Sequence, residues 1–288
     1  MGETAVIDRA HALEAFHHYV EPYDANNPRI ALKVEHTLRV AELADRIAAG
    51  SGFTEAGRDV AWLCGLLHDL GRFEQLRRWD TFNDGDSVNH ATLGANILFG
   101  ESSVAFATAE SDDDFFSRHN RTAGSIRAFC DDSALDDMIR AAVAHHSDFR
   151  LPEALDVRTH AICDVVRDAD KLDILRVTCT DTVETVLGVS EDELLESTVS
   201  PAVEDAFFAH RTVARAERKT PADYLVSLAC FTYELVYPTS LEIGLEQGFL
   251  FQPFERPFGI EEPFATPETR FLMNQMDGHL RIWIDERL

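Results

Sequence analysis

The sequence predicts an all-α protein, a single helical bundle that continues into additional C-terminal helices. Apolar residues recur with a period near 3.6 along most of the 288 residues, which is the repeat of an amphipathic helix. Residue pairs typical of helix starts, Asn27-Pro28 and Thr54-Glu55, precede two of these stretches. The alternating pattern of strands joined by hairpin turns is not found. We therefore expect one all-α domain over residues 1–288.

Composition and length favour a globular protein of the cytoplasm. Apolar residues make up 45% and charged residues 27% of the chain, which is typical of a soluble domain with a sizeable core. No apolar run approaches the ~18 residues of a membrane span, and the first residues lack the basic and apolar regions of a signal peptide. The five cysteines lie far apart within apolar helical patterns, which favours reduced core thiols. We therefore expect a cytoplasmic protein with no membrane partner.

The formal net charge of −25 limits the class of partner. Nucleic-acid duplexes and anionic membranes call for a basic surface, so we expect neither. A small phosphorylated substrate is compatible with so acidic a protein only if bound cations or arginines offset the repulsion locally. The sequence carries no signal for an oligomeric state.

The helix pattern in the N-terminal part predicts that one histidine, His36, faces the core. A first helix is predicted over residues 4–20. Asn27 as the N-cap and Pro28 in the first turn begin a second helix, which runs to Gly50. His36 shares the apolar stripe of this helix and should face inward. Taken alone, an inward histidine is more often a hydrogen-bonded core residue than a metal ligand.

The strongest local signal is the stretch 66–73, which reads LLHDLGRF. A third helix should end at His68 and Asp69, because Gly71 can adopt the left-handed conformation that stops a helix. An imidazole and a carboxylate in consecutive positions can both reach one metal ion. An aspartate among buried leucines is costly unless a cation pairs with it, and Arg72 adds a fixed positive charge beside the pair.

More histidines follow in the next helices. Residues 74–86 indicate a polar loop, after which Ser87 should cap a short helix with His90 in its first turn. The pair His145-His146 follows a helix with an apolar face. His146 continues that face and is the better candidate ligand, whereas His145 points to one side, where it can assist the site or a second metal.

The C-terminal half contributes one further acid. A helix predicted over about 156–177 carries Asp170 on its apolar line, where the carboxylate needs a metal ion or an arginine as partner. Residues 190–236 indicate two or three amphipathic helices. Residues 238–266, rich in Phe and Pro, indicate an ordered apolar loop that packs on the body or acts as a substrate lid. Thr266 should cap a last helix.

Histidines and aspartates from separate helices thus point to one interior. Imidazole and carboxylate together suit Mn, Fe, Zn, Co or Ni, and the carboxylates also admit Mg. Asp69 has two oxygens and can bridge two ions about 3.5–4 Å apart, the spacing of two-metal hydrolases. The sequence therefore predicts a centre of one or two divalent ions.

The order His, His-Asp, Asp resembles that of the HD-domain metal-dependent phosphohydrolases. The segments LLHDLGRFEQ, NHATLG, HHSDFRLPE and RDADKLDIL are similar to the surroundings of the ligands in that family. The resemblance covers about 28–180 and implies an HD-type helical bundle, followed by a helical extension over about 181–288. It implies two divalent ions, from Fe, Mn, Ni, Co, Zn or Mg, and the candidate metal ligands are His36, His68, Asp69, His90, His145, His146 and Asp170.

The resemblance also implies a reaction. A metal-activated hydroxide would cleave a phosphoester of a nucleotide or another small phosphorylated metabolite. Asp69 bridges the metals, while Arg72 and Lys171 neutralise charge that develops on the phosphoryl oxygens. Lys171 has an alternative role as an ion-pair partner of Asp168 or Asp173.

Three other functions remain open. The first is a di-iron oxygenase of the HD type, which uses similar ligands. The second is a cyclic-nucleotide or cyclic-dinucleotide phosphodiesterase, which the pair His145-His146 favours but which the segment Asp148–Pro152 does not, because the Gly-Tyr-Pro signature of that branch is missing. The third is a nucleotide-sensing module, against which the complete set of ligands argues.

Overall fold

The computed structural model describes residues 7–100 and 111–288, without the side chains of residues 111–114, 178 and 179. Within these ranges the chain forms helices and turns but no β-strand, which confirms the predicted all-α fold class. The chain divides into two compact units, Met1–Asp170 and Lys171–Leu288. The prediction that the whole chain is one domain stays a prediction.

The first unit is built from helices that pack in pairs. In chain order they are α1 (Arg9–Val20), α2 (Pro28–Gly50), α3 (Glu55–Leu67), α4 (Leu70–Trp79), α5 (His90–Phe99), α6 (Ser111–Thr122), α7 (Asp136–His145) and α8 (Val157–Thr180), the last of which runs beyond Asp170. Helix α2 packs along α3, α4 packs on α5, and α7 contacts both α3 and α5. The core between them contains fully buried apolar side chains, among them Val40, Leu63, Leu67, Leu98 and Val143.

Two predicted helix starts are confirmed. Both could be predicted because the capping residue lies next to the helix that it caps. The Asn27 side chain accepts a hydrogen bond from the Arg29 amide, and the Thr54 side chain accepts one from the Gly57 amide. The first helix begins at Arg9, later than predicted. Residues 4–6 of the predicted first helix lie outside the described residues.

The stretch after His68-Asp69 differs from the prediction. It forms α4 (Leu70–Trp79), so the polar loop predicted over 74–86 is wrong in its first half. Gly71 lies inside α4 and has no positive φ. A Cβ at this position would lie 2.2 Å from the His90 carbonyl oxygen and 2.6 Å from the Gly94 amide nitrogen. Gly71 therefore serves the close approach of α4 to α5 instead of ending a helix.

The next helix begins two residues later than the sequence suggested. Asn89, not Ser87, is the N-cap of α5, and its side chain accepts a hydrogen bond from the Thr92 amide. His90 is thus the first residue of α5 and is buried. Because α5 begins here, His90 lies at the end of α5 that contacts Gly71 of α4.

The second unit consists of shorter helices. They are α9 (Val183–Leu187), α10 (Glu191–Glu196), α11 (Pro201–Phe208), α12 (Pro221–Ala229), α13 (Pro238–Gln247), α14 (Gln252–Glu255) and α15 (Pro267–Asp285). The loop predicted over 238–266 is therefore wrong in part, because α13 and α14 occupy much of it. The last helix begins as predicted, with the Thr266 side chain accepting from the Thr269 amide.

Two predictions from the sequence concern the cysteines and the absence of membrane-spanning helices. Cys64, Cys130, Cys163 and Cys230 are free and buried, as reduced core thiols should be, and the Cys179 side chain lies outside the described part. None of the helices described combines the length and apolarity that crossing a bilayer requires.

Candidate metal centre

Six of the seven predicted ligands come together in the structure. His36 projects from α2, His68 and Asp69 lie at the junction of α3 and α4, and His90 begins α5. His146 directly follows α7, and Asp170 lies on α8. The side chains form three overlapping groups in which the potential ligand atoms lie within 4.8 Å of one another, namely His36-His68-Asp69, His68-His146-Asp170 and Asp69-His90-His146.

Backbone carbonyls orient two of the imidazoles. His68 Nδ1 donates a hydrogen bond to the Gly65 carbonyl oxygen at 2.7 Å, and His146 Nδ1 donates one to the Val143 carbonyl oxygen at 2.8 Å. A carbonyl can only accept, so Nδ1 carries the hydrogen and Nε2 of each neutral ring carries a lone pair. In both cases the orienting carbonyl lies three residues back, at the end of the helix that the histidine follows. This is the arrangement that fixes histidine ligands at metal sites.

A carboxylate orients the third imidazole. His90 Nδ1 lies 2.8 Å from Asp84 Oδ2. Asp84 in turn accepts from Arg72 Nη1 at 3.0 Å and from Gln75 Nε2 at 2.8 Å. Burial would raise the pKa of the Asp84 carboxyl, but the hydrogen bond and charge of His90, the charge of Arg72 and the bond from Gln75 lower it to about 2. Asp84 is therefore ionised and holds the hydrogen of His90 on Nδ1.

The oriented rings meet nitrogen to nitrogen. His90 Nε2 lies 3.0 Å from His146 Nε2, and His36 Nε2 lies 3.2 Å from His68 Nε2. Since both His90 and His146 carry their hydrogen on Nδ1, their Nε2 lone pairs face each other. Such a contact is favourable only if one ring takes up a proton and its charge, or if both bind a cation. The donor set therefore fits a metal ion.

The two oxygens of Asp69 face different histidine pairs. Oδ2 lies 3.5 Å from His36 Nε2 and 3.7 Å from His68 Nε2. Oδ1 lies 3.4 Å from His90 Nε2 and 3.6 Å from His146 Nε2. Asp69 thus stands between the pairs, with one oxygen for each.

Asp170 adds a second carboxylate beside His36 and His68. Its Oδ1 lies 3.2 Å from His36 Nε2 and 3.7 Å from His68 Nε2. Burial would raise the pKa of the Asp170 carboxyl, but the hydrogen bond from His36 and the charges of the surrounding histidines lower it. The structure therefore places an ionised carboxylate beside His36 and His68, where it can serve as a metal ligand.

Burial and neighbouring charge keep His68, His90 and Asp69 deprotonated at neutral pH. Burial lowers the pKa of His68 to about 3 and that of His90 to about 4, although nearby carboxylates act in the opposite direction. Burial alone would raise the pKa of the Asp69 carboxyl, but the charges of Lys33, His68 and Arg72 and a bond with His146 hold it well below its usual range. Imidazole nitrogens and carboxylate oxygens are thus available as ligands.

Two cations flank the central carboxylate. Lys33 Nζ lies 2.7 Å from Asp69 Oδ2, and Arg72 Nε lies 3.5 Å from Asp69 Oδ1. Both positive groups also lie near the Phe82 ring, at 5.5 Å and 5.7 Å from its centroid. The sequence reading singled out Arg72 but missed Lys33, although Lys33 lies one helical turn before His36. It also missed Asp84, because nothing in the local sequence ties that residue to His90.

Two predicted site residues make other contacts. His145 is in none of the groups of potential ligands found among the described residues, and its Nδ1 lies 2.7 Å from Asp148 Oδ2. Lys171 Nζ lies 3.2 Å from Glu234 Oε2, a different partner from the aspartates considered as alternatives. A role for His145 at the metal and for Lys171 in catalysis stays a prediction.

Fold and site together define an all-α protein with a buried histidine-aspartate cluster that is compatible with a metal site. Residues 34–175 match the family model described as HD domain. Neither the curated proteins nor the solved structures compared with the chain gave a match. These residues therefore form an HD domain, a domain that is typical of a superfamily of metal-dependent hydrolases. The resemblance seen in the sequence is confirmed.

Proposed function

We propose that this protein is a metal-dependent phosphohydrolase that cleaves a phosphoester of a nucleotide or another small phosphorylated metabolite. The observation that supports this best is the position of Asp69 between two histidine pairs, with one carboxylate oxygen near each pair. A carboxylate so placed suits a bridge between two cations, and paired cations are the means by which many phosphoester hydrolases act.

The side chains divide into two ligand sets that share Asp69. We assign His36, His68, Asp69 and Asp170 to one set, since Asp170 Oδ1 lies near both histidines, and Asp69, His90 and His146 to the other. Mixed imidazole and carboxylate ligands suit Fe, Mn, Co, Ni or Zn, with Mg as a further candidate. When bound, such ions supply the positive charge that makes water nucleophilic at neutral pH and that offsets charge on a phosphoryl group.

Arg72 is suited to hold a phosphoryl oxygen. Its Nη1 is fixed by bonds to Gln75 Oε1, the Phe82 carbonyl oxygen and Asp84 Oδ1. Its Nε is buried and makes no hydrogen bond to any described residue, although it points towards Asp69 Oδ1 at 3.5 Å. A preorganised, unused N–H donor beside the ligands is what stabilisation of developing negative charge requires.

Lys33 adds a second charge on the other oxygen of Asp69. With a net charge of −25 the protein as a whole repels phosphate, so the site needs local cations in addition to metal ions. Lys33 and Arg72 supply two such charges on either side of Asp69. We assign Lys33 to substrate binding together with Arg72.

The test combines metal analysis with a substrate screen. We expect the purified protein to contain divalent transition metal and to release phosphate from a small panel of phosphorylated metabolites with Mn, Co, Ni, Fe or Mg. The substitution Asp69→Ala should abolish both metal binding and turnover. The control is Asp59→Ala, which removes a buried carboxylate of α3 that pairs with Arg9 and does not belong to the cluster. Full turnover in Asp69→Ala would refute the assignment.

The same preparations separate hydrolysis from oxidation. A di-iron oxygenase of the HD type would contain iron and consume O₂ with its substrate, whereas the proposed phosphohydrolase releases phosphate without consuming O₂. Oxygen uptake is therefore measured in parallel with phosphate release. Oxygen uptake that requires iron, with no phosphate released, would favour the alternative.

A further inference from the structure

A third pair of facing histidines lies outside the HD domain. His210 directly follows the turn that ends α11, and His279 lies on α15, 69 residues further along the chain. Their Nε2 atoms are 2.7 Å apart, and their rings are tilted by 34° with centroids at 5.0 Å. Both residues belong to the unit Lys171–Leu288, beyond the match that ends at residue 175. The pair is thus separate from the cluster around Asp69.

The backbone holds His210 in an unusual conformation. Its φ is +54°, in the left-handed region that residues with a side chain seldom adopt. The His210 amide donates to the Phe207 carbonyl oxygen, so the chain turns sharply where α11 ends. A residue stays in such a conformation only when its surroundings determine it. The direction of the His210 side chain towards α15 is therefore imposed by the fold.

Aromatic rings hold the pair from one side. The Tyr233 ring lies 4.8 Å from that of His210, and the Phe208 ring lies 5.2 Å from that of His279. Trp283 packs on Tyr233 at 4.9 Å, one helical turn beyond His279. His210 itself is exposed, whereas His279 is half-buried. The rings are thus fixed on their inner side, while solvent and ions can reach the nitrogens from outside.

The charge on the pair favours a cation as ligand. Partial burial, the proximity of His279 and the charge of Arg287 lower the pKa of His210, against the opposite influence of Glu286. The lowered pKa favours the neutral form of His210, and the 2.7 Å contact allows one Nε2–H to donate to the Nε2 of the other ring. A divalent transition metal can take the place of that hydrogen, because two neutral imidazole nitrogens from a rigid frame are ligands that Cu²⁺, Ni²⁺ and Zn²⁺ prefer.

We propose that His210 and His279 form a second metal site, a surface site that binds one divalent transition-metal ion through two Nε2 atoms. Water fills the remaining coordination positions. The ion links the end of α11 to α15, two elements that already pack against each other in this unit. Its affinity follows the usual order, with Cu²⁺ bound more tightly than Ni²⁺ or Zn²⁺.

The test is a Cu²⁺ titration of the full chain, followed by calorimetry and by electron paramagnetic resonance. His279→Gln should bind one equivalent of Cu²⁺ fewer than the wild type, or bind that equivalent with an affinity lower by about tenfold or more. The part of the resonance signal that this equivalent contributes, with coupling to two imidazole nitrogens, should disappear with it, whereas the signal of Cu²⁺ in the HD-domain centre should remain. His210→Gln should have the same effect, and far-ultraviolet circular dichroism checks that both variants are folded.

The control is His160→Gln. His160 is an exposed histidine beside a carboxylate, with Nδ1 2.9 Å from Asp164 Oδ2, and should not change the titration. Equal stoichiometry and affinity in wild type and in both variants of the pair would overturn the proposal. An equal loss in His160→Gln would overturn it as well, since binding would then be a property of any surface histidine. Neither outcome depends on whether the HD-domain centre hydrolyses phosphoesters.

Discussion

Lys33 adds a positive charge to the histidine-aspartate cluster of the candidate centre. Its Nζ lies 2.7 Å from Asp69 Oδ2, and only 18% of the side chain is exposed, so the charge cannot move far from the cluster. Lysine is a compact, strongly hydrated charge that is costly to bury without a partner. The Lys33 ammonium also lies over the Phe82 ring, with Nζ 5.5 Å from the ring centroid.

We expect Lys33→Met to weaken substrate binding and transition-state stabilisation together. If Lys33 holds a phosphoryl oxygen, kcat/KM for the phosphorylated substrate should fall by about 100-fold, as for the loss of one preorganised donor. Inhibition by inorganic phosphate should weaken in parallel, whereas the metal content should stay unchanged. Steady-state kinetics with phosphate as inhibitor measure both effects.

Two control variants separate the effect of the positive charge from the effect of its position. Lys33→Arg retains a positive charge and should recover part of the activity. Lys219→Met removes an exposed lysine of the second unit and should leave the kinetics unchanged. Unchanged kcat/KM and unchanged phosphate inhibition in Lys33→Met would show that Lys33 only balances the charge of Asp69.

At the scale of elements, the contact of α4 with α5 determines where His90 stands. Helix α4 follows Asp69, and α5 begins at His90, so a shift between these helices moves a ligand of one set relative to the shared carboxylate. Gly71 permits the contact, because a Cβ there would lie 2.2 Å from the His90 carbonyl oxygen. The backbone of one helix is therefore packed against the backbone that carries a ligand.

We expect Gly71→Ala to lower the free energy of unfolding by about 3 kcal/mol or more, because the methyl group meets backbone atoms that cannot yield as a side chain would. Metal content should fall as well, since α5 must move away from Asp69. Gly278→Ala is the matched control, as Gly278 lies within α15 and a Cβ there meets nothing within 4 Å. That exchange should stabilise by about 0.5–1 kcal/mol.

Chemical denaturation and metal analysis of both glycine variants measure these effects. A Gly71→Ala protein as stable and as rich in metal as the wild type would contradict the structural role given to this contact. It would also show that α4 and α5 can separate without disturbing the centre.

The elements that could be predicted are those whose signals are local. Asn27 and Thr54 lie beside the amides that they cap, so the starts of α2 and α3 are readable from a few residues. Gly71 gives the same local signal as a helix stop, but its reason is a contact with His90 and Gly94 further along the chain. That contact exists only in the folded unit, so α4 was predicted as a loop.

The candidate centre likewise contains some residues that local sequence patterns predict and others that they do not. Helical phase pointed His36, His146 and Asp170 towards one interior, because the apolar stripe of each helix marks its buried side. Phase also separated His146 from His145. Lys33 was not found, since the ion pair that brings it to Asp69 spans 36 residues and leaves no mark on the local pattern.

For the whole molecule, acidity sets the conditions under which the centre works. A net charge of −25 attracts divalent cations and repels phosphate, so under the proposed function metal uptake should be favoured and substrate entry should depend on Lys33 and Arg72. The same excess of carboxylates makes neutral to alkaline pH the range in which the chain repels itself most. Its stability in mild acid is then decided by the few groups whose pKa is strongly shifted, above all the buried histidines.

Mild acid should destabilise the metal-free protein through these histidines. Burial lowers the pKa of His68 to about 3 and that of His90 to about 4, whereas the unfolded chain binds protons near pH 6.5. Stability is therefore lost as pH falls below about 6.5, by about 2 kcal/mol for His68 alone at pH 5. Denaturation at pH 7 and pH 5 with chelator should show a smaller loss in His68→Asn, and an unchanged loss in His11→Asn, an exposed histidine. Equal losses in all three proteins would contradict a neutral, buried His68.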